Sequence, residues 1–245
     1  MLRMALIPVG LAAMLALASA PRPANADEPS CTAPRELIED EPRLPKLAER
    51  LKRHLPVVVI VIGGASTAGS APDNSYPYFL EIALRRRHPG VQINVFNRGI
   101  GREVAAQMEA RFAKDVLPYQ PTLVVWETGT VDAVRNEDVN DFVDTLTQGI
   151  DSVTAHNSEI MLMDMQYNPG TASVINFEPY LAALHQTAQL QDVYMFQRFD
   201  LMKYWSEAGV FNFIDVPREK RISLAREFYE CLGERLAEAI DFAAR

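Results

Sequence analysis

Cysteine is nearly absent: two residues in a chain of 245. That excludes a disulfide-built scaffold and a four-cysteine zinc site, and leaves room for one bridge. No His, Cys, Asp or Glu cluster has metal-ligand spacing. Basic residues are in deficit, 24 against 32 acidic ones, for a net charge of −8. Such a chain lacks the positive surplus that holds a phosphate backbone, so nucleic acid is not an expected partner. Beyond the first twenty residues no stretch nears the roughly 18 apolar residues that span a bilayer. What is there is a globular composition, 48% hydrophobic and 23% charged, enough to bury one sizeable core.

The N-terminus reads as an export signal. Arg3 supplies the positive start, Met4 to Leu17 the apolar stretch, and small residues follow. Of two small-x-small sites, Ala18-Ser19-Ala20 would leave Pro21 just after the cut, so cleavage is expected after Ala26 in Ala24-Asn25-Ala26. Residues 1–26 are then the signal peptide and 27–245 a single domain. Asp27-Glu28-Pro29-Ser30 before Cys31 is acidic and proline-bearing, unlike a lipoprotein site. The expected address is secreted, periplasmic in a Gram-negative source. An oxidising compartment favours a Cys31–Cys231 disulfide, worth about 4 kcal/mol if unstrained; the alternative is two free buried thiols.

Apolar runs recur about every 30 residues, each followed by a polar turn and a helical pattern. Val57 to Ile62 is the strongest; Val91 to Phe96, Leu123 to Trp126, Ile160 to Met163 and Val193 to Phe196 follow. Continuous β-branched runs without alternation imply strands covered on both faces. Between them, Tyr78 to Arg87, Glu103 to Val116, Val139 to Ala155 and Phe177 to Gln189 carry helical spacing, and Ile222 to Ala243 closes the chain. The expected fold is α/β, a three-layer sandwich of about five parallel strands with helices on both faces. Proline-rich Asp27 to Pro45 is expected to wrap the surface.

In such sheets the ligand crevice lies beyond the carboxyl ends of the strands. Three turns stand out there: Gly63-Gly64-Ala65-Ser66-Thr67-Ala68-Gly69, Asn97-Arg98-Gly99-Ile100-Gly101, and Glu127-Thr128-Gly129-Thr130-Val131-Asp132. In this order and spacing they resemble the SGNH (GDSL-like) hydrolase family, from about Cys31 to the C-terminus. The resemblance implies Ser66 as nucleophile and the N–H groups of Ser66 and Gly99 as oxyanion donors. It also implies serine-dependent hydrolysis of an ester, such as an acylated glycan or lipid, without a cofactor. Asp164-Met165-Gln166-Tyr167 and the placement of Cys31 and Cys231 look like an exported bacterial branch.

Two family positions are unmatched. Val131 falls where the oxyanion asparagine belongs and has no hydrogen to donate; one such donor is worth roughly 10² to 10³ in rate. The best match to the family's Asp-x-x-His is Asp215-Val216-Pro217-Arg218, with Arg218 in the histidine position; counting back from Tyr229 and Cys231 puts Ser223 there instead. His54, His88 and His156 precede strands, His185 lies inside a helix, and no histidine follows it. Glu127 or Asp215 remains as a makeshift base, Glu127 if burial raises its pKa; the plainer roles are a hydrogen bond to a neighbouring turn and a loop ion pair with Arg218. Thr130 and Arg218 are the expected ligand contacts, although a solvated loop arginine is the more ordinary reading of Arg218. Ser66 itself is read as either a working nucleophile or a turn residue. The expected function is an esterase-like protein of impaired or absent activity; the alternative is a binding module for a glycan, acyl chain or protein.

Overall fold

In the computed structural model, which describes residues 31–41, 43–212, 214 and 216–245, the apolar runs form one parallel sheet. Its strands are β1 (Val57–Gly63), β2 (Ile93–Gly99), β3 (Leu123–Glu127), β4 (Glu159–Met163) and β5 (Tyr194–Phe196). The order is β2-β1-β3-β4-β5, every neighbour parallel. The chain enters at β1 and winds outward in both directions, so the β1/β3 boundary is the switch point where such sheets open a crevice.

The pleat sends alternate side chains to two cores. Val57, Val59 and Val61 pack with α1 (Pro45–Lys52), α3 (Tyr76–Arg87), α10 (Arg198–Glu207) and α11 (Arg221–Ala243). Ile60 and Ile62 pack with α4 (Ala105–Glu109), α5 (Phe112–Asp115), α7 (Val139–Ala155) and α9 (Glu178–Leu190). Three short helices follow strand ends or lie in loops: α2 (Ala65–Ala68), α6 (Thr130–Arg135) and α8 (Pro169–Ala172). The result is the expected three-layer sandwich. Among the described residues no helix is long and apolar enough to cross a membrane.

Two differences from the sequence expectation bear on the site. The helix expected over 103–116 is broken into α4 and α5. Between them Arg111 leaves helical geometry, at ψ 4°, while its guanidinium bonds Glu103, Asp115 and the Arg98 carbonyl. And α10, which no periodicity announced, starts two residues beyond β5 and delivers Arg198 into the interior.

The N-terminal segment lies across β5 and α10. The Tyr194 hydroxyl donates to the Ile38 carbonyl, the Met195 N–H to Asp40 at 3.0 Å, and the Trp205 indole N–H to the Thr32 carbonyl at 2.9 Å. Cys31 and Cys231 are disulfide-bonded, closing a loop of 200 residues. The expected signal peptide, residues 1–26, lies outside the described residues.

A cross-link over so long a loop restricts the unfolded chain strongly, so Cys31→Ser/Cys231→Ser should cost about 4 kcal/mol in urea denaturation. A loss under about 1 kcal/mol would show that the strap is held by its hydrogen bonds alone.

Candidate active site

The three turns singled out in the sequence converge at the carboxyl end of β1 and β3. From β1 the chain passes through Gly64 into α2, which carries Ser66, half-buried, and Thr67, fully buried. Glu127 ends β3 and is 2% exposed. Gly63 is required here: a Cβ would come within 2.2 Å of Thr67 Oγ1 and 2.6 Å of Glu127 Oε2.

Glu127 organises the turn. Its Oε2 accepts from the Gly64 N–H at 2.9 Å, Thr67 Oγ1 at 2.7 Å and Ser66 Oγ at 3.2 Å; its Oε1 accepts from Arg198 Nη2 at 3.0 Å. The other arm of the same guanidinium, Nη1, donates to Ser66 Oγ at 2.9 Å. Arg198 is 0% exposed. Because Thr67 spends its one hydrogen on Glu127, it accepts from the Tyr76 hydroxyl at 2.8 Å. Burial raises the pKa of Tyr76, helped by the nearby Glu127 charge, and keeps this phenol a donor.

Burial alone would push the Glu127 carboxyl up. The Arg198 guanidinium and the hydrogen bonds from Thr67 and Gly64 outweigh it and hold the group below its ordinary value. The direction is opposite to the rise by burial expected of Glu127 as a base, and its oxygens accept from Gly64, Thr67, Arg198 and Ser66 itself. The plainer expectation, a hydrogen bond to the neighbouring turn, describes what Gly64 and Thr67 do.

The remaining expected site residues fall as follows. Gly99 lies beside α2, where a Cβ would come within 2.2 Å of the Ala68 nitrogen. Its N–H is not free for an oxyanion, being donated to Asn97 Oδ1 at 2.9 Å, while Asn97 Nδ2 holds the Thr67 carbonyl at 2.6 Å. Thr130 and Val131 open α6 and line the cavity beside Ser66. Arg218 is exposed in a short 3₁₀ turn, Arg218–Lys220, and does not line that cavity. Asp215 lies outside the described residues. Ser223, at the start of α11, is exposed and donates to the Lys220 carbonyl.

No histidine is among the hydrogen-bond partners of Ser66 in the described residues. His88 pairs with Asp241 at 2.6 Å, His156 bonds the Ser152 carbonyl, and His185 meets Asp164 at 3.2 Å. Asp164 also accepts from the Phe199 N–H at 2.7 Å and so fixes the start of α10, next to Arg198.

The cavity above Ser66 has a volume of 330 Å³, with Ser66, Glu127, Thr128, Thr130, Val131 and Met108 among its lining. A larger hollow, 610 Å³, opens at the amino end of the sheet among Arg50, Arg53, Gln120 and His156, away from Ser66. Strand-end chemistry favours the smaller one.

Residues 30–245 match the non-GDSL lipase-like family. The chain belongs to this family. Solved structures share the fold at low identity. Acetylxylan esterase Axe2 from Geobacillus stearothermophilus is 16% identical, with 74% of this chain and 94% of that one covered at a TM-score of 0.57. TesA is 19% identical, covering 71% and 97% at 0.55. Esterase AlinE4 is 22% identical, covering 66% and 86% at 0.53. Among curated proteins none matches the sequence. These likenesses show the SGNH-type fold and, with the family match, set this non-GDSL lipase-like chain among SGNH-like hydrolases.

Arg198 is the site residue that sequence reasoning missed. Its signal was position alone: it follows β5 by two residues, and the strand-end rule applied to that turn would have reached it.

Replacing Arg198 by Met leaves a buried carboxylate without its counter-charge. The fold should lose about 3–5 kcal/mol near neutral pH, with the deficit shrinking in acid as Glu127 takes up a proton; chemical denaturation at two pH values checks this, and a loss below about 1 kcal/mol contradicts it. For His185, the bond to Asp164 raises the pKa above 6.5, against the opposing pull of desolvation. A raised folded value means stabilisation that is complete below about pH 6.5 and fades as pH climbs through the folded pKa. His185→Gln should therefore lower the melting temperature more at about pH 6 than at about pH 9, and an equal loss at both would contradict the ion pair.

Proposed function

We propose that this non-GDSL lipase-like protein is an exported member whose cleft holds an ester-bearing or O-acylated small molecule, glycan or lipid, with impaired or absent hydrolysis. One observation carries the reading: the Ser66 hydroxyl donates to a carboxylate held ionised and accepts from a buried guanidinium.

A serine attacks an acyl carbon only if its proton leaves as the bond forms. Here the nearest acceptor is Glu127, whose depressed pKa makes it a weak base. Arg198 is permanently protonated and cannot take the proton at all. Removing one member of a working triad costs on the order of 10⁴. The oxyanion side is also thin: Val131 offers no donor, and the Gly99 N–H is committed to Asn97. Any residual turnover would rest on Ser66 with Glu127 as acceptor.

The alternative, a module that binds without turnover, is favoured by the cavity itself. Its 330 Å³ beside Ser66 is room for a small ligand, and Met108, Val131 and Val134 give it an apolar wall. Export is supported by the N-terminal signal pattern and by the Cys31–Cys231 disulfide, which suits an oxidising compartment.

The test is a fluorophosphonate probe together with p-nitrophenyl acetate turnover, each on mature protein and on Ser66→Ala. We expect no labelling, and hydrolysis indistinguishable between the two proteins. Stoichiometric labelling that Ser66→Ala abolishes would overturn the reading.

A further inference from the structure

The mouth of the Ser66 cavity is cationic in a protein that is anionic as a whole. Arg102 and Arg135 both line it, both are exposed, and Arg135 Nη2 donates to the Arg102 backbone carbonyl at 3.0 Å, which holds the Arg135 guanidinium against the turn that carries Arg102. Neither is ion-paired among the described residues. Glu103, next to Arg102 in the lining, is already claimed: its carboxylate is bound by Arg111 at 2.8 Å. Arg102 sits at φ 72°, a left-handed conformation that a non-glycine residue adopts only where its surroundings hold it.

Against a net charge of −8, two guanidiniums in one cavity lining, neither ion-paired among the described residues, form a local reversal of sign. The planar fork of arginine matches a carboxylate in two-point contact, which a lysine would not. Beside these charges the lining is apolar at Met108, Val131 and Val134.

We propose that this cavity selects a carboxylate-bearing ligand, with the carboxylate on Arg102 and Arg135 and the acyl or other apolar portion against Met108, Val131 and Val134 toward Ser66. This rests on the reading of the cavity as the ligand cleft and adds the charge of what enters it. Two sources share the chemistry, an O-acylated sugar acid and a free fatty acid. The first suits the cavity better, because its volume, 330 Å³, is near the lower end for ligand pockets and takes a short acyl group more readily than a long chain.

Matched pairs test it on the mature protein by titration calorimetry: O-acetylated glucuronate against O-acetylated glucose, and octanoate against octanol. The carboxylated sugar should bind at least about tenfold tighter than its neutral partner, with an advantage that falls as salt rises. Arg102→Gln/Arg135→Gln, two exposed positions outside the Ser66–Glu127–Arg198 cluster, should bring the pair to parity with melting temperature unchanged. A preference for octanoate over both sugars would move the assignment to a fatty acid and overturn the sugar-acid choice. Equal binding of charged and neutral partners overturns the charge selection while leaving the cleft reading intact; binding of none overturns both. If Ser66 proves hydrolytic, the same charge preference must appear in the kcat/KM ratio of the two acetylated sugars, so the two proposals fail separately.

Discussion

A carboxylate and a guanidinium, both removed from water, set the character of the cleft. Two buried charges cost several kcal/mol each in desolvation, and they persist only when paired and hydrogen-bonded. Glu127 and Arg198 meet that demand by drawing in the groups around them. Glu127 takes the Gly64 N–H and the Thr67 hydroxyl, and through Thr67 it fixes Tyr76 on α3; Arg198 takes Ser66. Strand β3, helix α2, helix α3 and helix α10 are thus tied at one point. Such a pair is weak evidence of net stability, since apolar replacements of both partners can be as stable. Its effect here is to specify where α2 and α10 sit, and to fix the electrostatic state of the serine that α2 presents.

The fold places this cluster at the carboxyl ends of the strands, where parallel sheets of this kind open their ligand crevice. The switch point between β1 and β3 opens the crevice, Gly63 and Gly99 let α2 lie close to the strand ends, and α6 supplies the opposite wall. What differs is the electrostatic loading. A permanent cation donates to the Ser66 hydroxyl, which in turn donates a hydrogen bond to the Glu127 carboxylate; on the proposed reading this orders the hydroxyl without activating it. The proposed function follows from that loading: a scaffold that keeps a ligand-sized cavity beside a serine with no proton acceptor other than Glu127 among its hydrogen-bond partners in the described residues.

Much of the architecture was legible because it depends on local pattern. The run Val57 to Ile62 has no reading but a covered strand, and Val139 to Ala155 carries helical periodicity over its full length, which is why α7 has the bounds its sequence implies. Positions of Ser66 and Glu127 followed from strand ends. The charge state of Glu127 did not, because burial and Arg198 push in opposite directions and their balance is set by a residue 71 positions away. Arg198 itself was hidden by a strand only three residues long and a helix of mixed composition. The Gly99 N–H looked free because the competing acceptor is its own neighbour Asn97, although asparagine bonding to the backbone two residues on is a familiar local habit.

The protonation state of Glu127 decides between an ordered serine and an activated one. Selective ¹³C labelling of glutamate side chains, with the Glu127 resonance assigned by its loss in Glu127→Gln, allows that carboxyl to be titrated directly by NMR. With the Arg198 guanidinium and the Thr67 and Gly64 hydrogen bonds outweighing burial, the account predicts a midpoint below the ordinary carboxylate range. A midpoint near neutrality would show a carboxyl able to accept the Ser66 proton, and would contradict the account of a cleft that binds without efficient turnover.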